Sequence, residues 1–258
     1  MPTAIARRPS MSARYFTDFR PKLGGPTAQS FFVVYCFNCS AGIKASILES
    51  MEAMYPVYSI AKPFLAHAVL ELALPLDASV GEFVPGLSSI YASRSIGQLL
   101  NHTSGLSDYS KLTDYGYAVA NSLPAWSRDD LLVRTLALPH DIKGFSYSNI
   151  GYLLLRMAVE NQTGKALFGA LEQLVFKPLG IHGFEEWEQE SSLVPNYDPK
   201  WVYSGTFLAS ERSILDGFAK LVQHRSAKAG LEVLSVEVDF EKTGFDYPTY
   251  GVGLMMDQ

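Results

Sequence analysis

Apolar positions along this 258-residue chain fall into blocks with distinct periods. From 64 to 74 the run is apolar almost all round, with Leu65, Val69, Leu70 and Leu72, which predicts a helix passing through a core. Segments 151–161 and 165–176 repeat their apolar residues at helical spacing and predict two scaffold helices. Ser210 predicts the cap of a further helix carrying Ile214, Phe218, Leu221 and Val222. The first credible strand is 31–37, with a weaker partner at 42–48, so the expected sheet is small and open at its ends. Open edges favour association and leave a homo-oligomer as an expected assembly.

Polar residues at the mouth of the first apolar helix change the picture. In Tyr58-Ser59-Ile60-Ala61-Lys62-Pro63-Phe64 a serine and a lysine stand three apart, on one helix face if both lie in the first turn. Pro63 supports that placement, because proline is tolerated only where helix N–H groups have no intrahelical acceptor. Ser59 then sits at the positive end of the helix dipole, which favours a developing oxyanion. Burial would lower the Lys62 pKa and leave it able to take the serine proton. Ser-x-x-Lys alone reads more often as a capping serine followed by a solvated lysine.

Further along, Phe145-Ser146-Tyr147-Ser148-Asn149-Ile150-Gly151-Tyr152 offers a phenol and a carboxamide two apart, just before another amphipathic helix. Positions two apart in an extended segment face one side. Tyr147 could exchange a proton with Ser59, and Asn149 could hold the lysine or a substrate carbonyl.

Ser59-x-x-Lys62, then Leu99-Leu100-Asn101-His102-Thr103-Ser104-Gly105-Leu106, then Tyr147-Ser148-Asn149 resembles the serine β-lactamase and penicillin-binding-protein-like superfamily, with the nearest look to its class C β-lactamase-like esterases and D-aminopeptidases. Val175-Phe176-Lys177-Pro178-Leu179-Gly180 reinforces the match, which covers roughly 50–225. The resemblance implies a mixed α/β (α+β) fold: an antiparallel sheet flanked by helices, in a single β-lactamase/transpeptidase-like domain over 1–258 with a helical insertion at about 77–145. It also implies Ser59 as nucleophile, Lys62 and Tyr147 as the proton-transfer pair, and Asn149 as a substrate-binding helper. The Ser59 backbone N–H would be half of an oxyanion hole. His102 would support the site from a structural turn, and Gly205 would permit close packing where family members run a strand into the third helix.

One departure concerns the third family motif, Lys-Thr-Gly or His-x-Gly, expected shortly after a Tyr-Gly-x-Gly segment. Tyr250-Gly251-Val252-Gly253 is present, but the Lys242-Thr243-Gly244 triplet precedes it and reads as a solvated turn. The expectation is that the C-terminal strands of the pattern are absent. Such a loss of one oxyanion donor would lower the rate by about 10² to 10³.

Composition narrows the remaining classes. The chain is 48% hydrophobic and 18% charged with a net charge of −5, enough for a sizeable core and without a basic field for nucleic acid. Arg7, Arg8, Arg14 and Arg20 are too scattered to overturn this. The 64–76 stretch is interrupted by His67, Glu71 and Pro75 and is too short to span a bilayer, and no export leader opens the chain, so the cytoplasm is the expected compartment. Cys36 and Cys39 lack a second pair and read as structural, so neither metal nor cofactor is expected. His67 reads as a satisfied core residue, and a Ser-His-Asp hydrolase is the weaker enzyme reading because no Gly-x-Ser-x-Gly elbow exists. The sequence thus points to a serine hydrolase forming an acyl-enzyme with a small ester, amide or β-lactam, an ester being preferred. The alternative is a degenerate or truncated relative with a binding or assembly role.

Overall fold

Phe64 is fully buried, and its surroundings explain why the first apolar helix is buried from Lys62 to Val69. The computed structural model describes residues 53–187, 194–238 and 248–257. A short strand, β1 (Tyr55–Pro56), leads through a 3₁₀ turn at Tyr58–Ala61 into α1 (Lys62–Glu71), with Pro63 in its first turn. Phe64 stacks on Phe218 with ring centroids 5.3 Å apart and meets Phe176, Phe184 and Phe207 edge-on. Full burial of one such ring is worth about 1.5–3 kcal/mol, with about 0.5–1.5 kcal/mol more for each well-placed aromatic pair.

Between α1 and the Tyr147 segment the described chain is helical. It runs through α2 (Ser89–Ala92), α3 (Ile96–Leu100), α4 (Thr113–Ala120) and α5 (Arg128–Thr135). Ser95 and Ser127 cap α3 and α5, their hydroxyls accepting from Gln98 N and Asp130 N. The long helix α6 (Asn149–Thr163) packs on both α1 and α3. It starts two residues before the expected 151, because the Ser148 hydroxyl accepts the Gly151 N–H at 3.4 Å and so captures Asn149 as the first helical residue. The predicted 165–176 helix divides into α7 (Leu167–Leu171) and a wider π turn at Glu172–Phe176.

After α7 come β2 (Phe184–Glu185) and β3 (Leu208–Ala209), and β3 pairs antiparallel with both β1 and β2. The register sets Ala209 opposite Tyr55 on one side and Phe184 on the other. Ser210 caps α8 (Glu211–Gln223) as the sequence leads one to expect, its hydroxyl accepting from Ser213 N, and α9 (Arg225–Leu234) follows at once. A second antiparallel ladder joins β4 (Val236–Glu237), β5 (Pro248–Gly251) and β6 (Leu254–Asp257). This is the mixed α/β architecture with small antiparallel sheets that the resemblance implies.

The β5–β6 turn lies against the start of α1. Val252 and Gly253 have φ of 53° and 82°, as a tight two-residue hairpin turn requires. A Cβ on Gly253 would lie 2.6 Å from Pro63 N and 2.8 Å from the Lys62 carbonyl carbon, so only glycine allows this approach. Val252 is fully buried, and its packing offsets the strain of a β-branched residue at positive φ.

Among the described residues no helix is long and apolar enough to cross a membrane. The expected 31–37 strand, its 42–48 partner, Cys36, Cys39, the N-terminal arginines and Lys242-Thr243-Gly244 lie outside the described residues. His67 is buried at 1% exposure but is not satisfied as expected, since neither ring nitrogen has a hydrogen-bond partner. Its i+4 neighbour Glu71 stops at 3.5 Å, beyond a normal hydrogen bond.

Candidate functional site

Ser59 follows a segment pinned by hydrogen bonds to the chain leading into β3. Val57 N donates to Phe207 O and Tyr58 N to Thr206 Oγ1, each at 3.0 Å. Tyr58 occupies the left-handed region with φ 45°, an arrangement costing about 1–2 kcal/mol, and its ring is braced edge-on by Trp187 and Tyr197. This kink turns the chain out of β1 and presents Ser59 in the 3₁₀ turn ahead of α1. The second residue of such a turn has no intrahelical acceptor for its N–H, so the Ser59 amide lies at the positive end of the turn leading into α1.

Lys62 is 2% exposed and reaches three polar groups: it donates to Asn149 Oδ1 at 2.7 Å, Ser59 Oγ at 3.0 Å and Ser204 Oγ at 3.4 Å. Its nitrogen also lies 5.1 Å from the Tyr147 ring centroid and 5.5 Å from that of Tyr152. Desolvation pulls the Lys62 pKa from 10.5 down to about 7, while the Asp108 carboxylate opposes part of that fall. Enclosure thus leaves a sizeable neutral fraction near pH 7.

Tyr147 donates from its hydroxyl to Ser59 Oγ at 2.9 Å, so the serine oxygen contacts Lys62 and Tyr147 together. Desolvation of the hydroxyl end raises the Tyr147 pKa, outweighing the hydrogen bond to Ser59, and Asp108 raises it further. The residue as a whole keeps 36% exposure. Near neutrality Tyr147 is therefore a phenol. The extended Ser148 turns both Tyr147 and Asn149 toward α1, so the four residues singled out from the sequence meet in one place.

His102 braces this segment. Its Nδ1 accepts the Ser148 backbone N–H at 3.2 Å, which leaves the proton on Nε2, 3.1 Å from the Tyr250 hydroxyl. Burial, and then the nearby Lys62, hold its pKa well below 6.5, so the ring is neutral. Its carbonyl accepts from Ser146 N at 2.8 Å. The ring nitrogens of His102 are thus engaged by Ser148 and Tyr250 and not by Ser59, which agrees with a supporting place and not a triad. Gly205, with φ 98°, also behaves as expected: a Cβ there would fall 2.0 Å from Leu167 Cδ2.

Two residues at the site escaped the sequence reading. Ser204 is buried beside Lys62, and Asp108, 6% exposed, accepts the Asn149 backbone N–H at 2.5 Å and Ser110 N at 2.8 Å. The available signal for Asp108 was its place just after the Thr103-Ser104-Gly105-Leu106 turn. A cavity of about 620 Å³ lined by Trp126, Arg156, Trp187, Tyr203 and Thr206 lies close by through Thr206, but Ser59, Lys62 and Tyr147 are not in its wall. The hydrogen-bonded cluster around Ser59 is thus distinct from the wall of this cavity.

Comparison with known proteins bears on the family and the fold. The Beta-lactamase family model matches residues 41–194. The chain is 30% identical to penicillin-binding protein 4 of Amycolatopsis lactamdurans over 152 residues, covering 53% of this chain and 37% of that protein. It is 32% identical to esterase EstB of Burkholderia gladioli over 170 residues, covering 57% of this chain and 42% of the esterase. The chain thus spans less than half the length of these curated relatives. Among solved structures, a D-stereospecific amidohydrolase from Streptomyces sp. superposes with a TM-score of 0.67 at 24% identity, over 80% of this chain and 72% of that one, which bears on the fold.

Proposed function

The chain belongs to the beta-lactamase family, and from that membership we propose a serine hydrolase that works through a covalent acyl-enzyme on a carboxylic ester or amide. One observation carries the reading: Ser59 Oγ lies within hydrogen-bond reach of a buried lysine nitrogen and a phenol at once, 3.0 Å and 2.9 Å away. Such a pairing of nucleophile and base is the arrangement acyl transfer needs.

In the neutral form Lys62 has one lone pair and two N–H groups. The N–H groups donate to Asn149 Oδ1 and Ser204 Oγ, and the lone pair accepts the Ser59 proton across the same 3.0 Å contact. Ser59 Oγ attacks the carbonyl carbon as its proton passes to Lys62, and the carbonyl oxygen becomes an oxyanion near the Ser59 amide. Collapse of this intermediate breaks the bond to the leaving group, which takes a proton from Tyr147 or Lys62. Water then adds to the acyl-Ser59 carbonyl with the same groups removing its proton, and collapse breaks the bond to Ser59 Oγ, which takes a proton back from Lys62 or Tyr147 as the acid departs. Tyr147 is assigned proton relay and Asn149 orientation of Lys62.

An ester is preferred to a β-lactam, since one site of this type serves many substrates across related folds and a relative bears an esterase name. The single domain with a helical insertion at about 77–145 forms part of the same proposal. A broad fluorophosphonate tests it at neutral pH, because Ser59 would displace fluoride and keep the phosphonyl group as added mass. Stoichiometric labelling that disappears in Ser59→Ala is the expected result. Folded wild-type protein that takes no label would overturn the enzymatic reading and leave a binding role.

A further inference from the structure

Away from Ser59, the C-terminal half of α1 meets the corner between α8 and α9 at a cluster the proposed hydrolysis does not use. His67 and Glu71 lie one helical turn apart on α1, and His224 ends α8 and begins α9. Glu71 Oε1 stands 3.5 Å from His67 Nε2 and also 3.5 Å from His224 Nδ1. The two imidazoles meet edge to face, with centroids 4.9 Å apart.

These separations are too long for hydrogen bonds, and His67 Nδ1, His67 Nε2 and His224 Nδ1 are all buried atoms without a partner. Leaving such atoms unpaired is unfavourable. A tetrahedral ion with bonds of about 2.0–2.2 Å separates adjacent donor atoms by about 3.3–3.6 Å. The two 3.5 Å distances match that edge length, and the three donor atoms all lie within 4.8 Å of one another.

We propose that His67, Glu71 and His224 form a site for a divalent first-row transition ion of the zinc type, with water as fourth ligand. Two imidazoles and one carboxylate suit such an ion. His67 supplies a rigid, 1% exposed anchor, while Glu71 and His224, each 30% exposed, have room to close the remaining donor separation and to admit ion and water. Burial keeps the His67 ring neutral, as a ligand must be. An ion here would satisfy His67 Nε2 and His224 Nδ1 and clamp α1 to the α8–α9 corner. Because α1 also carries Lys62 at its start, the ion would stabilise the scaffold of the Ser59 site without touching it. The proposal is independent of the hydrolase reading.

The test uses the full chain without a polyhistidine tag, stripped with chelator and titrated with Co²⁺ as a spectroscopic probe, beside Glu71→Gln and His224→Ala. Visible d–d absorption saturating at one Co²⁺ per chain and displaced by Zn²⁺ is expected. Each variant should bind about tenfold or more weakly, since even outer-shell changes weaken metal sites by about 10–100-fold. Thermal midpoints should rise with Zn²⁺ in wild type and rise less in the variants at the same Zn²⁺ concentration. Metal-free melting of the variants shows separately that they fold. Absence of Co²⁺ absorption in folded wild type, or equal affinity in folded variants, would overturn the site.

Discussion

Asp108 accepts the backbone N–H of Asn149 at 2.5 Å, while the Asn149 side chain accepts from Lys62 at 2.7 Å. One buried carboxylate thereby positions the first residue of α6 and, through it, the lysine. Its charge also opposes the desolvation that lowers the Lys62 pKa. Asp108→Asn keeps an acceptor but removes the charge, so the Lys62 pKa should fall further. The acid limb of the pH profile of fluorophosphonate labelling should then move to lower pH. Exchanging a charged for a neutral acceptor should also lower stability by about 1 kcal/mol in denaturant titrations.

Lys62 should impose its own pH dependence. Deprotonated lysine is the proposed base, so labelling should rise with pH through about 7 and level above it. For stability, the folded pKa lies below the ordinary value of 10.5, so between these limits the unfolded chain binds more protons and stability increases with pH. The slope contributed is at most about 1.4 kcal/mol per pH unit. Lys62→Met should abolish labelling, and the difference between wild-type and Lys62→Met stability should carry this slope between about pH 7 and pH 9. A difference that stays flat would contradict a neutral buried lysine.

Tyr147→Phe removes the hydroxyl that donates to Ser59 and leaves the ring in place. Labelling should slow by about 10²–10⁴, the usual worth of a positioned proton donor or acceptor. Circular dichroism and the thermal midpoint should change little, because the ring remains and the residue is 36% exposed.

Gly253→Ala tests the close approach of the β5–β6 turn to α1. Its φ of 82° disfavours an L side chain by about 1–2 kcal/mol, and a Cβ 2.6 Å from Pro63 N adds overpacking of about 1–3 kcal/mol. A loss of about 2–5 kcal/mol is expected in equilibrium unfolding. Since the displaced atoms belong to Lys62 and Pro63, labelling of the folded fraction should slow as well.

Short-range patterns carry most of what is legible in the chain alone. Helix periodicity located α1, α6 and α8, although side-chain capping by Ser148 moved the start of α6 and the 165–176 helix widened at Glu172. The spacing of Ser59 and Lys62 made their contact a local matter, since residues three apart share a helix face. The chemistry of Tyr147 and Asn149 suggested them as partners for this pair, and the family resemblance gave them roles, but their contact across 88 and 87 residues depends on packing that no isolated segment states.

The sequence by itself determined the helical blocks and the Ser59–Lys62 pair, which are encoded in neighbouring residues, and the family likeness, which is carried by short motifs in order along the chain. Tertiary structure alone decided that Asp108, 41 residues before Asn149, would hold its amide, and that Ser204, 142 residues beyond Lys62, would complete the lysine's partners. It also decided that His224 would join His67 and Glu71, and that His67 would be buried without a hydrogen bond. The physical reason is the same throughout: desolvation and donor geometry depend on which distant segments close around a group, and that enclosure exists only once the chain has packed.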